Sequence, residues 1–345
     1  MKKIRIAIVM PAGRIRDTFI TPEGAARFAA LGALSWNPSD QQYDDTQLAR
    51  ACADADVCVT GWGCRTFTEA VIKNAENLKI IAHTGGSVAT LITKQLYDKG
   101  IKVISGNKVY AESVAEGVVA YILAALRRLP GYTGEMAEAG WSGGSDTIYN
   151  ETLLDQTVGL VGFGTVSRYL VPLLKPFRCK LLAYDPYVPE QAFTEAGVER
   201  LDELEPLFTR SKIISLHMPI NTSTFHMIDG KLLSLIPDGA LFVNTARGAC
   251  VDEAALAAEL SKGRFSAILD VYEKEPLPMD SGLRGLENVI LIPHMAGPTV
   301  DRRAVVSLRL ADDIERYYKG QPMQNEIGYE YAVTMTNEAS VAAML

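Results

Sequence analysis

Thr157-Val158-Gly159-Leu160-Val161-Gly162-Phe163-Gly164-Thr165-Val166-Ser167 is an apolar run that ends in a glycine turn and passes into a helical pattern. That placement gives the glycines their meaning. Gly162 permits the tight turn from strand to helix, and Gly164 lets a dinucleotide pyrophosphate approach backbone N–H groups at the positive end of the helix. A third glycine is usual, and Ser167 stands in its place, a small residue that costs some closeness between helix and strand. About 20 residues further on, Asp185 closes the next strand pattern, where a carboxylate accepts from both ribose hydroxyls and repels a 2′-phosphate. No Arg or Lys lies between Pro186 and Gln191 to hold such a phosphate, so the expected cofactor is NAD rather than NADP.

On both sides of this stretch, short runs of Val, Ile and Leu alternate with helical patterns, the sequence form of βα units around parallel sheets and hence an α/β fold. Before it, strands are expected over Ile4–Met10, Ala55–Thr60, Leu78–Ala82 and Ile101–Ser105, then a helix from Ser113 to Leu129 that Pro130-Gly131 ends. Residues Gly131–Asn150, with Trp141, read as an irregular excursion. From Thr157 onward, strands are expected over Thr157–Phe163, Lys180–Tyr184, Lys212–His217, Ala240–Asn244, Ser266–Asp270 and Asn288–Ile292. Asp252 is an expected N-cap and Gly263 the stop of the same helix. A last long helix is expected from Val300 to Tyr318 with Leu308, Ala311 and Ile314 on one face, and Pro172 is expected to kink the helix after Gly164.

At 345 residues the chain exceeds what one hydrophobic core usually organises, so two domains are expected. Its net charge of −7 leaves no basic excess to neutralise phosphates, which argues against a nucleic-acid surface. Cys52, Cys58, Cys64, Cys179 and Cys250 form no C-x-x-C pair, so neither a disulfide framework nor a metal site is expected, and a reducing cytoplasm fits. MKKIRIAIVM reads as a first strand because Arg5 interrupts its apolar run. The most apolar stretch, Gly117–Leu126, is about half a bilayer span and is expected to be a buried helix, not a membrane anchor.

Three further segments each begin at the C-terminal end of an expected strand: Asn244-Thr245-Ala246-Arg247-Gly248, Asp270-Val271-Tyr272-Glu273-Lys274-Glu275-Pro276 and Ile292-Pro293-His294. That end of a parallel sheet is where ligands bind, on the same rim as the glycine turn. Arg247, Glu275 and His294 are therefore expected to converge.

With these motifs, and with Glu112-Ser113-Val114-Ala115-Glu116, Ser215-Leu216-His217-Met218-Pro219 and Thr222-Ser223-Thr224, the chain resembles the D-isomer-specific 2-hydroxyacid dehydrogenase family from about Ala55 to Ile327. The resemblance implies a hydride transfer between NAD(H) and a small 2-hydroxy acid or its 2-keto acid. Arg247 matches the arginine that grips the substrate carboxylate and carbonyl oxygen, a task suited to a planar permanent cation. His294 matches the general acid and base, and Glu275 the carboxylate that raises the histidine pKa. Glu273 is given no catalytic role, because the matching carboxylate is the one just before Pro276. Thr165, Val166, Met218, Pro219, Thr224, Thr245 and Ala246 match cofactor-touching positions, and Asp270 matches an acidic residue on the nicotinamide side, beside Arg247 and His294. His217, before the cofactor loop, reads as structural, and His83 and His226 have no motif support for catalysis, although His83 lies near the expected pocket.

By the same resemblance, a flavodoxin-like substrate domain of residues 1–107 and 299–345 and an NAD-binding Rossmann-like domain of residues 108–298 are expected to flank an active-site cleft that closes to exclude water. A homodimer is implied, using the Ser113 helix and the Gly131–Asn150 excursion. The chain departs from the family's Gly-x-Gly-x-Asp carboxylate loop, for which it has His83-Thr84-Gly85-Gly86-Ser87-Val88. Gly85, Gly86 and Ser87 are the expected substrate-binding positions, since adjacent glycines still offer backbone donors to an anion. Arg65, after another early strand, could meet a second acidic group on a substrate. A non-catalytic NAD(H)-sensing corepressor with the same fold is the competing reading, against which the retention of Arg247, Glu275 and His294 argues. A formate dehydrogenase is disfavoured, because Glu275 stands where that branch uses an amide.

Overall fold

The protein is described from a computed structural model that covers residues 4–139, 150–342 and 344. Two compact units emerge, residues 1–111 with 298–339 and residues 112–297 with 340–345. Each is an all-parallel sheet with apolar residues on both faces.

The first unit holds β1 (Ile4–Ile8), β2 (Gly32–Trp36), β3 (Val57–Thr60), β4 (Ile80–His83) and β5 (Lys102–Ser105) in the order β2-β1-β3-β4-β5. This is the doubly wound order of flavodoxin-like folds. Alternation along the strands separates two cores: Ala7, Cys58, Ile81 and Val103 face one side, and Ile6, Ile8, Val59, Ala82 and Ile104 the other. The second core is closed by the helix Val300–Tyr318. Its buried stripe runs through Val306, Leu310, Ala311 and Ile314, so Leu308, expected on that face, lies half-buried beside it.

The second unit holds β6 (Thr157–Val161), β7 (Lys180–Tyr184), β8 (Glu199–Leu201), β9 (Ile213–Leu216), β10 (Leu241–Asn244), β11 (Ser266–Leu269) and β12 (Val289–Leu291). Their order, β12-β11-β10-β9-β6-β7-β8, reverses direction between β6 and β9, which makes that pair the topological switch point. Val158, Leu160, Ala183 and Val243 pack into one core, and Val161, Ile214, Phe242 and Leu269 into the other.

β2 and β8 are absent from the expected strands. Both are edge strands, and their sequences, GALSW and ERL, carry no apolar run because little of either is buried. The helix expected from Ser113 starts earlier and spans Asn107–Leu126. Pro130 and Gly131 do not simply end it: they fall in the first turn of a new helix, Leu129–Ala139, where proline lacks only a donor that has no helical acceptor anyway. The first nine residues of the expected irregular excursion are therefore helical, while Trp141 lies outside the described residues. The helix after Gly164 continues through Pro172 to Leu174 and tightens into a 3-10 turn at Lys175–Phe177. Asp252 caps its helix through Oδ1, which accepts from Ala255 N at 2.9 Å. Among the described residues, Asn107–Leu126 is long and apolar enough to cross a bilayer by length and composition, yet Ala115, Val118, Ile122 and Leu126 on it are buried in a core.

Candidate active site

Register fixes the rim of the second unit. Tyr184, Val161, Leu216, Asn244, Leu269 and Leu291 form one row of paired residues across β7, β6, β9, β10, β11 and β12. Asp185, Gly162, Met218, Arg247, Asp270 and His294 each follow that row by one to three residues. All therefore emerge on the same edge.

At the switch point, Gly162 has φ +93, and a Cβ there would lie 2.9 Å from the backbone of His217 and Met218, so glycine is required by both conformation and packing. Gly164 is different: a Cβ would meet nothing within 4 Å. The protein leaves that space open at the N-cap of the helix Thr165–Leu174, where backbone donors and the helix dipole favour an anion. Ser167 is fully buried and donates to the Gly162 carbonyl at 2.6 Å, so the residue read as a departure from glycine fastens the turn. Asp185 accepts from Phe163 N at 2.8 Å and Tyr187 N at 3.0 Å, which anchors its carboxylate beside the same turn. Met218 and Ala246 are buried, and Thr165, Val166 and Pro219 half-buried. Thr224 is committed to its own loop, donating to Pro219 O at 2.7 Å and accepting from Asn221 N at 2.9 Å. The Thr245 hydroxyl is buried without a hydrogen-bond partner among the described residues. An open helix N-terminus, a required glycine turn and an anchored carboxylate fit a dinucleotide with unmodified ribose hydroxyls, as in NAD.

Further along the rim, His294 Nδ1 and Glu275 Oε2 are 2.7 Å apart. The bond to Glu275 raises the His294 pKa above its ordinary value, against the opposing effect of burial; the Arg247 charge also lowers it. Burial raises the Glu275 pKa, but the bond and charge of His294, the Tyr272 N–H and the Arg247 charge together bring it below the usual carboxylate value. Arg247 thus acts on both members of the pair. Asn244 shapes its turn, accepting from Ala246 N at 3.0 Å and donating to Arg247 O at 3.1 Å.

Two residues, Asp270 and Gly248, hold this arrangement in place. His294 has a left-handed backbone, φ +55, a conformation costing about 1–3 kcal/mol unless its surroundings impose it. Asp270 imposes it: 1% exposed, it accepts from Met295 N at 2.6 Å and Ala296 N at 3.0 Å, while its own carbonyl accepts from His294 N at 2.9 Å. Burial raises the Asp270 pKa, and those two N–H groups, His294 and the Tyr121 hydroxyl counter it. Gly248 is the other, because a Cβ there would sit 1.8 Å from the Tyr272 carbonyl carbon; only glycine lets the Arg247 loop press on the loop that carries Glu275.

The sequence Tyr272-Glu273-Lys274-Glu275 offers two carboxylates, and the structure separates them. Glu273 Oε1 lies 2.6 Å from His226 Nε2 and accepts from Glu253 N at 3.1 Å, while Glu253 accepts from Glu273 N at 3.0 Å. That pair ties two loops together. His217 is half-buried with its Nε2 shielded from solvent, and that burial pushes its pKa down to about 3, which leaves it neutral.

In the first unit, the equivalent rim carries Gly85, Gly86 and Ser87 after β4. Their backbone N–H groups have no hydrogen-bond acceptor among the described residues, whereas the carbonyls of Gly85 and Gly86 accept from Gly106 N at 3.0 Å and Ser105 Oγ at 3.1 Å. The Ser87 hydroxyl donates to Thr336 O at 2.7 Å, so the residue offers its amide rather than its side chain. His83 Nδ1 is 2.9 Å from Thr60 Oγ1, and a Cβ on Gly85 would be 2.3 Å from His83 Nε2. Burial pushes the His83 pKa down to about 4, so a neutral ring braces the loop. Among the described residues, no group of three or more His, Cys, Asp or Glu side chains is arranged to hold a metal, and all five cysteines are free thiols.

Comparison with known proteins bears on the same residues. The profile of the D-isomer specific 2-hydroxyacid dehydrogenase NAD-binding domain matches residues 119–296. The D-3-phosphoglycerate dehydrogenase of Methanocaldococcus jannaschii is 33% identical over 282 residues, 81% of this chain and 53% of that protein, so the chain spans about half of this relative's length. The hydroxypyruvate reductase of Thermotoga maritima is 34% identical over 280 residues, 80% of this chain and 89% of that protein. A solved phosphoglycerate oxidoreductase from Rhizobium etli shares the fold with a TM-score of 0.79 at 24% identity, covering 94% of this chain and 98% of that one.

Proposed function

Because the chain belongs to the D-isomer-specific 2-hydroxyacid dehydrogenase family, we propose that it interconverts a small 2-hydroxy acid and its 2-keto acid with NAD(H), using Arg247, Glu275 and His294. The observation that carries this reading is the 2.7 Å bond between His294 and Glu275 on the dinucleotide rim, within the field of Arg247.

When bound, NAD(H) supplies the hydride that reaches the substrate's C2 in reduction, or accepts it in oxidation. In reduction, His294 Nε2–H gives its proton to the oxygen of the 2-oxo group, which becomes the hydroxyl; in oxidation Nε2 takes that proton back. Glu275 holds Nδ1–H, which sets the tautomer and keeps the imidazolium available near neutral pH, since the His294 pKa is raised. Arg247 draws electron density from the carbonyl and fixes the carboxylate, and the free amides of Gly85, Gly86 and Ser87 offer further donors to that carboxylate. Asp270 positions His294 by holding its loop. Five unpaired cysteines suit residence in a reducing cytoplasm, and the family resemblance favours a homodimer.

The test is a panel of 2-keto acids mixed with NADH and followed by loss of NADH absorbance. Turnover of at least one member is expected. Tight NADH binding with no turnover of any member would favour the sensor reading instead.

A further inference from the structure

Arg65, a candidate for meeting a second acidic group, lies 3.6 Å from Asp45, with both side chains more than half exposed (58% and 61%), so it is a solvated surface cation. The uncompensated cation near the free amides of the first unit is Arg303, in the first turns of the helix Val300–Tyr318. Its guanidinium carbon lies 5.5 Å from the ring centres of both Phe19 and Trp62. Nε donates to Pro298 O at 3.3 Å and Nη1 to Thr18 Oγ1 at 3.4 Å, while Nη2 has no hydrogen-bond partner and the side chain no carboxylate partner among the described residues.

Trp62 meets the ring of Tyr110 edge-on at 6.3 Å. The Tyr110 hydroxyl is buried and unpartnered among the described residues, and the Arg303 charge and the Trp62 indole act on it without reaching hydrogen-bond geometry. The Tyr110 ring in turn covers Gly86, where a Cβ would be 3.5 Å away. A continuous surface therefore leads from the free amides through Tyr110 and Trp62 to Arg303. Its unsatisfied groups, a guanidinium N–H and a phenol O–H, can both donate, so the group that satisfies them together is acceptor-rich and anionic.

We propose that Arg303, held over Phe19 and Trp62, receives with Tyr110 a second acidic group of the substrate, so that the reactant is a 2-keto acid bearing a further carboxylate, sulfonate or phosphate. This rests on the 2-keto acid reaction proposed above.

The experiment compares kcat/KM for dianionic keto acids (oxaloacetate, sulfopyruvate, phosphohydroxypyruvate) with that for pyruvate and glyoxylate in the wild type, Arg303→Met, Arg303→Lys and Tyr110→Phe. The wild type is expected to favour at least one dianion, and the three dianions separate carboxylate, sulfonate and phosphate. Arg303→Met should lower the ratio of dianion to monoanion by about tenfold or more, through KM, as loss of a hydrogen bond to a charged group implies. Arg303→Lys should restore part of that ratio, and Tyr110→Phe should lower it less. Rising salt should raise the wild-type KM for the dianion more than for pyruvate, a readout that needs no variant. A wild type that prefers monoanions, or a ratio unmoved in Arg303→Met, overturns the proposal. If no keto acid oxidises NADH, the reaction itself fails and calorimetric binding decides the subsite: malonate bound more tightly than acetate by the wild type, but not by Arg303→Met, supports it, and equal binding by both proteins overturns it.

Discussion

The two rims differ in how their polar groups are spent. On the second unit, Asp185, Asp270, Glu275 and His294 already have partners, and these bonds fix where the reacting groups point. On the first, three amides, the Tyr110 hydroxyl and Arg303 Nη2 have none among the described residues. A proton carrier must be held before the substrate arrives, since misplacing it costs rate, whereas a recognition surface is completed by the substrate itself. On the proposed reading the contrast divides the labour: chemistry on the second rim, selection on the first.

Breaking the first half of that contrast should give the largest effect. His294→Ala removes proton transfer and leaves the glycine turn intact, so turnover should fall by roughly 10²–10⁴-fold with NADH affinity little changed, as read by steady-state kinetics and NADH fluorescence. An undiminished kcat would remove the histidine from the reaction. Asp270→Ala frees the loop that carries His294 and should cost on the order of 10² in kcat, with a smaller change in KM. If KM alone changed, Asp270 would belong to binding rather than to positioning.

The second half is probed by Gly85→Ala, whose Cβ would fall 2.3 Å from His83 Nε2. Either the ring or the loop must move, at a cost of about 1–3 kcal/mol, visible as a lower melting temperature and a raised keto-acid KM. An unchanged KM would show that the amides do not receive the carboxylate. Asp185→Ala should weaken NADH binding by about tenfold, the equivalent of one or two good hydrogen bonds, and relax the rejection of NADPH. The same preference for NADH before and after the change would separate Asp185 from the ribose.

The rims also differ in how they are written in the chain. Gly162, Asp185, Arg247, Glu275 and His294 lie in short motifs directly after strands, and parallel register converts that adjacency into a shared edge, so sequence order alone brought them together. The surface around Arg303 draws on residues 18, 19, 62, 86, 110 and 303, and nothing local marks Arg303 among Asp301-Arg302-Arg303 as the cation over two rings. Ser167 and Gly248 were visible as letters, but their tasks depend on a carbonyl five residues back and on a backbone 24 residues ahead. The edge strands β2 and β8 escaped for a related reason: burial writes the apolar pattern, and these two edges are little buried.

In the proposed reaction Glu275 tunes His294, and the pH dependence of keto-acid reduction reports on that coupling. With protonated His294 as the proposed acid, kcat/KM should fall as pH rises through its pKa, which lies above the ordinary histidine value in the wild type. In Glu275→Gln the carboxylate charge is gone, and that alkaline limb should move to lower pH. A limb that stays where the wild type places it would mean that the pair does not carry the proton.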